Sequence, residues 1–229
     1  MKPHEGQKLN EHMAKIPTHE LVYRQIRDMI LCGELEPGQA VTIQGLVSHL
    51  EAGMTPVREA IRRLTAESAL VFQGNRRVSV PVLTLDEVNE LAFARLAIEP
   101  KLAYWAASKL TVPQIGQLEQ IDQDLNKAIA RGDVRDYLYF NYQFHAQLYA
   151  VSGANILVSI ADSLWLRMGP SLRVICGRYG TTNLPDMHAG AISAMKRGDA
   201  QAVMDAIKAD LEQGIDQVRA SLLEATNGL

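Results

Sequence analysis

Cysteine is nearly absent: Cys32 and Cys176 are the only two in 229 residues, too few for a disulfide framework. That scarcity suits a reducing cytoplasm. Cys32 lies at the apolar end of a helical stripe and is expected to be a packed thiol rather than a reactive one. Long apolar runs are also missing, since no stretch approaches the roughly 18 residues that a membrane span needs. Met1 to Lys15 is polar and has no apolar signal core, so residues 1–16 are expected to form a disordered arm. There is no short internal repeat, and beyond Thr84 no convincing strand. Charge of one sign is lacking too: the formal net charge is −3, which looks wrong for a chain that coats nucleic acid. At 47% hydrophobic residues the chain can still bury a sizeable core, and its length suits one or two domains.

The net charge hides a division. Residues 1–81 carry 10 Lys/Arg against 9 Asp/Glu, and the remainder carries 13 against 17. Between Arg58 and Arg77 there are five arginines and only two acids, Glu59 and Glu67. Binding to phosphate depends on such a local basic surface, not on the chain average. With so few cations, one protomer would hold DNA weakly in salt, so two copies acting together are expected.

Those arginines sit on a stretch whose helical faces are already sorted, Met54-Thr55-Pro56-Val57-Arg58-Glu59-Ala60-Ile61-Arg62-Arg63-Leu64. Thr55 is expected as the N-cap and Pro56 as the first helical residue, where a missing N–H costs nothing. Val57, Ala60, Ile61 and Leu64 recur at helical spacing and would face a core. Thr55, Arg58, Arg62 and Arg63 then face outward, an arrangement suited to base edges and phosphates of the major groove. On this stretch alone, a solvated basic face explains the pattern equally well. Upstream, His19 to Leu31 forms an apolar helical stripe that Gly33 ends, and Glu36-Pro37-Gly38 turns the chain. Thr42 caps a short helix through Leu50, and Glu51-Ala52-Gly53 links it to the basic helix. Downstream, Leu70 to Gln73 and Arg76 to Val80 read as strands around Gly74-Asn75. Helix, helix, turn, helix and hairpin make a winged helix-turn-helix, with Arg76 and Arg77 on the wing.

Over residues 17–81 this pattern resembles the GntR family of bacterial transcriptional regulators. The matching residues are Gly33-Glu34-Leu35-Glu36-Pro37-Gly38, Thr55-Pro56-Val57-Arg58-Glu59-Ala60, Arg63-Leu64 and Gly74-Asn75-Arg76-Arg77-Val78. The resemblance implies DNA binding through Thr55, Arg58, Arg62, Arg63, Arg76 and Arg77. Gly53 and Met54 stand where the family usually has Ser-Arg. That arginine reads a base edge in relatives, so the resemblance implies an altered operator.

From Pro81-Val82-Leu83-Thr84 the pattern turns to helix after helix. Thr84 to Glu87 forms a capping box, and its helix should run to about Lys109 with a kink or break at Pro100. Further helices are expected at Thr111–Arg131, Val134–Ser152, Ile156–Arg173 with a bend at Gly169-Pro170, Asp186–Arg197 and Asp199–Leu223. Cys176 to Pro185 reads as a loop. The expected fold is therefore mainly α. A winged helix-turn-helix at 17–81 precedes an all-α six- to seven-helix bundle at 82–229.

Arg95 with Glu99, Phe144-His145, Gly153-Ala154-Asn155, His188 with Ala191-Ile192, and Gly198-Asp199-Ala200 are similar, in order and spacing, to the FCD domain of the FadR subfamily. Spacing alone puts Asn141 and His145 on one helix face and lets His188 and Asp210 oppose one another on the last two helices. A histidine on an apolar helix is more often a hydrogen-bonded core residue than a ligand. The resemblance adds a divalent ion, held in metal-binding members by an aspartate and three histidines. By position, Asn141 stands for the aspartate, His145 and His188 for two histidines, and Asp210 for the third. Such a set still suits Zn²⁺, Mn²⁺ or Ni²⁺, though the amide is a poorer donor. His4, His12, His19 and His49 show no partner pattern and are expected at the surface. For Arg95, spacing fits an i,i+4 pair with Glu99 on a solvated face, whereas the resemblance implies a buried guanidinium facing an effector carboxylate. Tyr137, Tyr142, Phe144, Trp165 and Arg173 are candidate pocket walls.

These features together describe a ligand-responsive transcriptional regulator, expected to act as a repressor. It would bind a palindromic operator in double-stranded DNA as a homodimer and sense a small organic acid, with no membrane association. Dimerisation through the helical domain follows from the resemblance. Two rivals stay open: a ligand-independent architectural protein, and a metal-dependent helical-bundle enzyme, against which no paired nucleophile and base is seen.

Overall fold

The computed structural model describes residues 17–73, 77–174 and 186–227. The expected arm, the Gly74-Asn75 tip with Arg76, and the loop containing Cys176 lie outside the described residues. The first half of the fold runs α1 (Thr18–Leu31), β1 (Ala40–Val41), α2 (Ile43–Leu50), α3 (Met54–Ala66), β2 (Val71–Gln73) and β3 (Arg77–Ser79). The second is all helical: α4 (Leu85–Ala107), α5 (Val112–Arg131), α6 (Val134–Val151), α7 (Asn155–Val174), α8 (Met187–Arg197) and α9 (Ala200–Asn227).

The winged helix forms because two apolar stripes meet. Val22, Ile26 and Ile30 of α1 are buried, as are Val57, Ala60, Ile61 and Leu64 of α3, and the two helices pack together. Thr42 caps α2, its hydroxyl accepting from Gly45 N–H at 3.0 Å. The start of α3 differs from expectation: the N-cap is Gly53, and Thr55 lies inside the first turn with no capping bond. Pro56 is tolerated there because first-turn N–H groups have no partner within the helix. The sheet also has a strand that was not expected. Its order is β1-β3-β2, antiparallel throughout, with Val41 opposite Val78 and Phe72 opposite Val78. Two residues are too short a strand to show an alternating pattern.

In the helical half, the Thr84–Glu87 capping box forms as expected. Of the kink or break expected at Pro100, a break does not occur: α4 continues to Ala107 with Pro100 buried. Packing of α4 along α9, α7 and α6 holds the helix together across the lost hydrogen bond. Likewise α7 continues through Pro170.

The halves meet where the end of α1 enters the bundle. Gly33 has φ +67, and a Cβ there would lie 2.9 Å from Leu138 Cδ1, so both backbone and space call for glycine. Gly169 brings α7 against Leu31, where a Cβ would lie 3.4 Å from Leu31 Cδ2. Cys32 is buried at this joint, and burial pushes its thiol up to about 11. It is a packed thiol, as expected.

Candidate functional site

Three helices aim chemistry-bearing side chains at one point. His145 comes from α6, His188 from α8 and Asp210 from α9, and their ligand atoms lie within 4.8 Å of one another. His145 Nε2 is 3.0 Å from Asp210 Oδ2, and His188 Nε2 is 3.3 Å from His145 Nε2 and 3.6 Å from Asp210 Oδ1. Both histidines are buried, and the cluster opens only beside Asp210, whose side chain is 23% exposed. Burial pushes the His145 imidazole down, and Asp210 offsets this only in part. Burial acts on His188 in the same sense, but Asp210 and Asp122 outweigh it and raise its pKa. Burial pushes the Asp210 carboxyl up, yet His188, His145 and Arg95 outweigh it and hold it at about 2.

Hydrogen bonding around the cluster favours one tautomer of His145. Glu99, fully buried on α4, accepts from Tyr149 Oη at 2.8 Å, from Trp165 Nε1 at 2.8 Å and from Arg95 Nε at 2.5 Å. Because the Tyr149 hydroxyl donates to Glu99, its oxygen is left to accept from His145 Nδ1, 3.0 Å away. A proton on Nδ1 leaves the Nε2 lone pair facing Asp210 and His188. Asp122 on α5 stands behind His188 as an ion-pair partner, with Oδ1 3.3 Å from Nδ1. That approach is too poorly aligned for a hydrogen bond, so this buried oxygen has no hydrogen-bond partner among the described residues. Phe144 stacks on the His188 ring at 3.9 Å and fixes its plane.

Two imidazole nitrogens and a carboxylate converging in this way offer a donor set for a cation. With metal–nitrogen bonds of about 2.1 Å, the observed 3.3 Å between nitrogens corresponds to an angle of about 105°, well within tetrahedral or octahedral coordination. The donor set therefore fits a divalent ion. Carboxylate and hydroxyl groups behind the ligating imidazoles are what metal sites use to orient them.

Beside the cluster lies a cavity of about 40 Å³ lined by Arg95, Tyr137, Asn141, Trp165 and Asp210. It has room for a water or two but not for an organic acid of any size. Arg95 is 2% exposed and combines both expectations: it is an i,i+4 pair with Glu99, but inside the protein rather than on a solvated face. Its guanidinium also lies 4.2 Å over the Trp165 ring. Three expected wall residues do not line the cavity: Phe144 stacks on His188 instead, and two lie elsewhere. Tyr142 accepts from Arg27 Nη2 at 2.8 Å and donates to Asp162 at 3.0 Å, so it faces α1 and α7. Its position on α6, one step round the helix from Asn141, turns it away from the cavity. Arg173, at the far end of α7, donates to Gly33 O at 2.5 Å and pairs with Glu36. Both tie the helical half to the winged helix. Asp122 was not foreseen, although a carboxylate in the apolar stripe of Leu118, Leu125 and Ala128 was a usable signal.

On the winged helix, Thr55, Arg58, Arg62 and Arg77 are exposed, and among the described residues none of these arginines has an ion-pair partner. Arg63 differs. It pairs with Glu20 at 2.9 Å and Glu67 at 3.1 Å, and lies 3.5 Å over the Tyr23 ring.

A winged helix with free arginines, joined to a helical bundle with an interior ligand cluster, defines a DNA-binding regulator with a sensory domain. Comparison with known proteins gives the family. Residues 90–213 match the FCD domain, and residues 18–80 match the gntR family of bacterial regulatory proteins. The chain belongs to that family, in its FadR-like, FCD-containing form. It is similar to the HTH-type transcriptional regulator McbR of Escherichia coli K12, at 28% identity over 67% of this chain and 70% of McbR. The HTH-type transcriptional repressor RspR of the same organism is 26% identical over 89% of this chain and 90% of RspR. The solved structure of E. coli McbR/YncC shares the fold, with a TM-score of 0.84 at 23% identity over 90% of this chain and 99% of that one. A GntR regulator from Rhodococcus sp. RHA1 gives 0.72 at 20% identity, over 87% and 96%. The protein is thus a transcriptional regulator with a DNA-binding helix-turn-helix and a ligand-binding FCD domain, and not an enzyme. No helix among the described residues is long and apolar enough to cross a membrane.

Proposed function

We propose that this regulator is a cytoplasmic repressor that binds a palindromic operator as a homodimer and responds to a small organic acid held beside a divalent metal ion. The observation that carries the reading is the convergence of His145 Nε2, His188 Nε2 and the Asp210 carboxylate. Asn141, Arg95 and Tyr137 line the adjoining cavity, so an acid entering there would meet an amide and a guanidinium. A bound ion would supply open coordination positions for the acid's carboxylate. At about 40 Å³ the cavity must widen to admit it, and that widening is the natural source of a signal.

The path of the signal is supported by α6. Three residues before His145, Tyr142 bonds Arg27 of α1, and the Trp165 ring lies 5.0 Å from His145 and 5.8 Å from Tyr142. A shift of α6 would therefore pull on α1, which packs on the DNA-reading helix α3. Dimerisation is favoured by uncovered aromatic surface on α4, where Phe93 is 79% exposed and Tyr104 and Trp105 are exposed as well. Repression is the reading that the name of the relative RspR favours.

Elemental analysis tests the metal. Protein purified without a metal-affinity column should carry about one divalent ion per chain, and His145→Ala should carry none. Metal-free wild type that is not stabilised against heat by added Zn²⁺, Mn²⁺ or Ni²⁺ would refute the metal reading.

A further inference from the structure

We propose that the apolar groove between α3 and the sheet of the winged helix is itself a DNA-contacting surface, with Phe72 packing on the carbon surface of the duplex. Directly paired residues on neighbouring strands project to the same face of a sheet. The register therefore lines up Val41, Val78 and Phe72 in one row across β1, β3 and β2. The first two are covered, at 6% and 7% exposure, but Phe72 at the end of the row is 60% exposed. All three line a groove of about 640 Å³ whose opposite wall is α3, through Arg58, Ile61 and Arg62.

The surroundings of the groove select its occupant. Arg58 and Arg62 lie one turn apart on α3, and Arg77 stands on β3 beside Val78, all three lining the groove. None of the three has an ion-pair partner among the described residues, whereas Arg63, which points away from the groove, has two. An apolar strip bordered by free guanidinium groups is complementary to a surface that alternates phosphate with carbon, as the edge of a DNA strand does. An acidic protein partner would need apolar side chains set between its carboxylates to match this groove, whereas a DNA strand repeats that alternation along its whole edge. The carbon surface offered by DNA is either deoxyribose or the methyl group of thymine.

The test uses the full chain and duplex DNA enriched from random sequence by the wild type. Phe72→Ala should weaken binding about tenfold. The slope of log affinity against log salt should stay unchanged, because no phosphate contact is lost. Phe72→Leu should retain most of the affinity. Arg62→Ala should instead lower the slope by about one. Replacing thymine by uracil position by position separates the two sources. A step present for the wild type and absent for Phe72→Ala assigns the methyl group, and no such step assigns deoxyribose. A Phe72→Ala protein that melts like the wild type and binds equally well would overturn the proposal. Should that variant melt lower, Phe72→Gln is judged by the same criterion. If the wild type enriches no DNA, DNA binding itself fails and the proposal falls with it.

Discussion

The winged helix and the helical bundle treat the same side chain in opposite ways. Arg58, Arg62 and Arg77 stand in solvent without ion-pair partners among the described residues, while Arg95 lies 2% exposed against Glu99 and the Trp165 ring. A guanidinium left free at a surface is available to a polyanion. One enclosed with a carboxylate has had its hydration replaced by fixed partners, and any ligand must compete with them. Arg63 shows that position on α3 does not decide the matter. It neighbours Arg62 in sequence yet is held by Glu20, Glu67 and Tyr23. Partners, rather than residue type or helix face, separate the free arginines from the held ones.

The harshest way to break the comparison is to remove the interior partner. Glu99→Ala leaves Arg95 buried without a counter-charge and strips an acceptor from Tyr149 and Trp165. Urea unfolding should register a loss of about 3–5 kcal/mol. Arg58→Ala should change stability by no more than about 0.5 kcal/mol. Similar losses in the two variants would show that enclosure makes no difference.

A smaller effect separates the two kinds of arginine on α3. Arg58→Ala should weaken DNA binding by about 1–3 kcal/mol if its fork meets a base. Arg63→Ala should leave the salt dependence of binding untouched and lower the melting temperature slightly, since its exposed ion pairs are worth about 1 kcal/mol or less each. Fluorescence anisotropy across a salt series reads both. An Arg63→Ala affinity that falls as much as the Arg58→Ala affinity would remove the distinction.

The subtlest effect lies within the interior. Asp122→Asn keeps the size of the side chain behind His188 but removes its charge. Calorimetric titration with Zn²⁺ should then show affinity reduced about 10–100-fold with little change in fold. Unchanged affinity would make Asp122 a bystander.

Much of this was legible in the sequence because helical periodicity reports faces. The stripe Val57, Ala60, Ile61 and Leu64 is buried as its spacing requires, and the Thr84–Glu87 box opens α4. His145, His188 and Asp210, named from position, do come together. Periodicity is silent about which neighbour a face meets. The partner of Arg63 that lies on α1 is 43 residues away, Tyr142 meets Arg27 across 115 residues, and Arg173 meets Gly33 across 140. Such contacts depend on how helices dock, and so Tyr142 and Arg173 read as pocket walls rather than as ties between the halves. Strand β1 escaped for a different reason: two residues cannot alternate.

The measurement that bears most directly on the account is the affinity for enriched duplex DNA, taken on wild type and His145→Ala. Each protein is assayed after treatment with a chelator and again after restoring Zn²⁺. If the interior cluster governs the winged helix, the wild-type affinity should differ by about fivefold or more between the two states. The His145→Ala affinity should be the same in both. A wild type whose DNA affinity is identical with and without the ion would contradict that coupling.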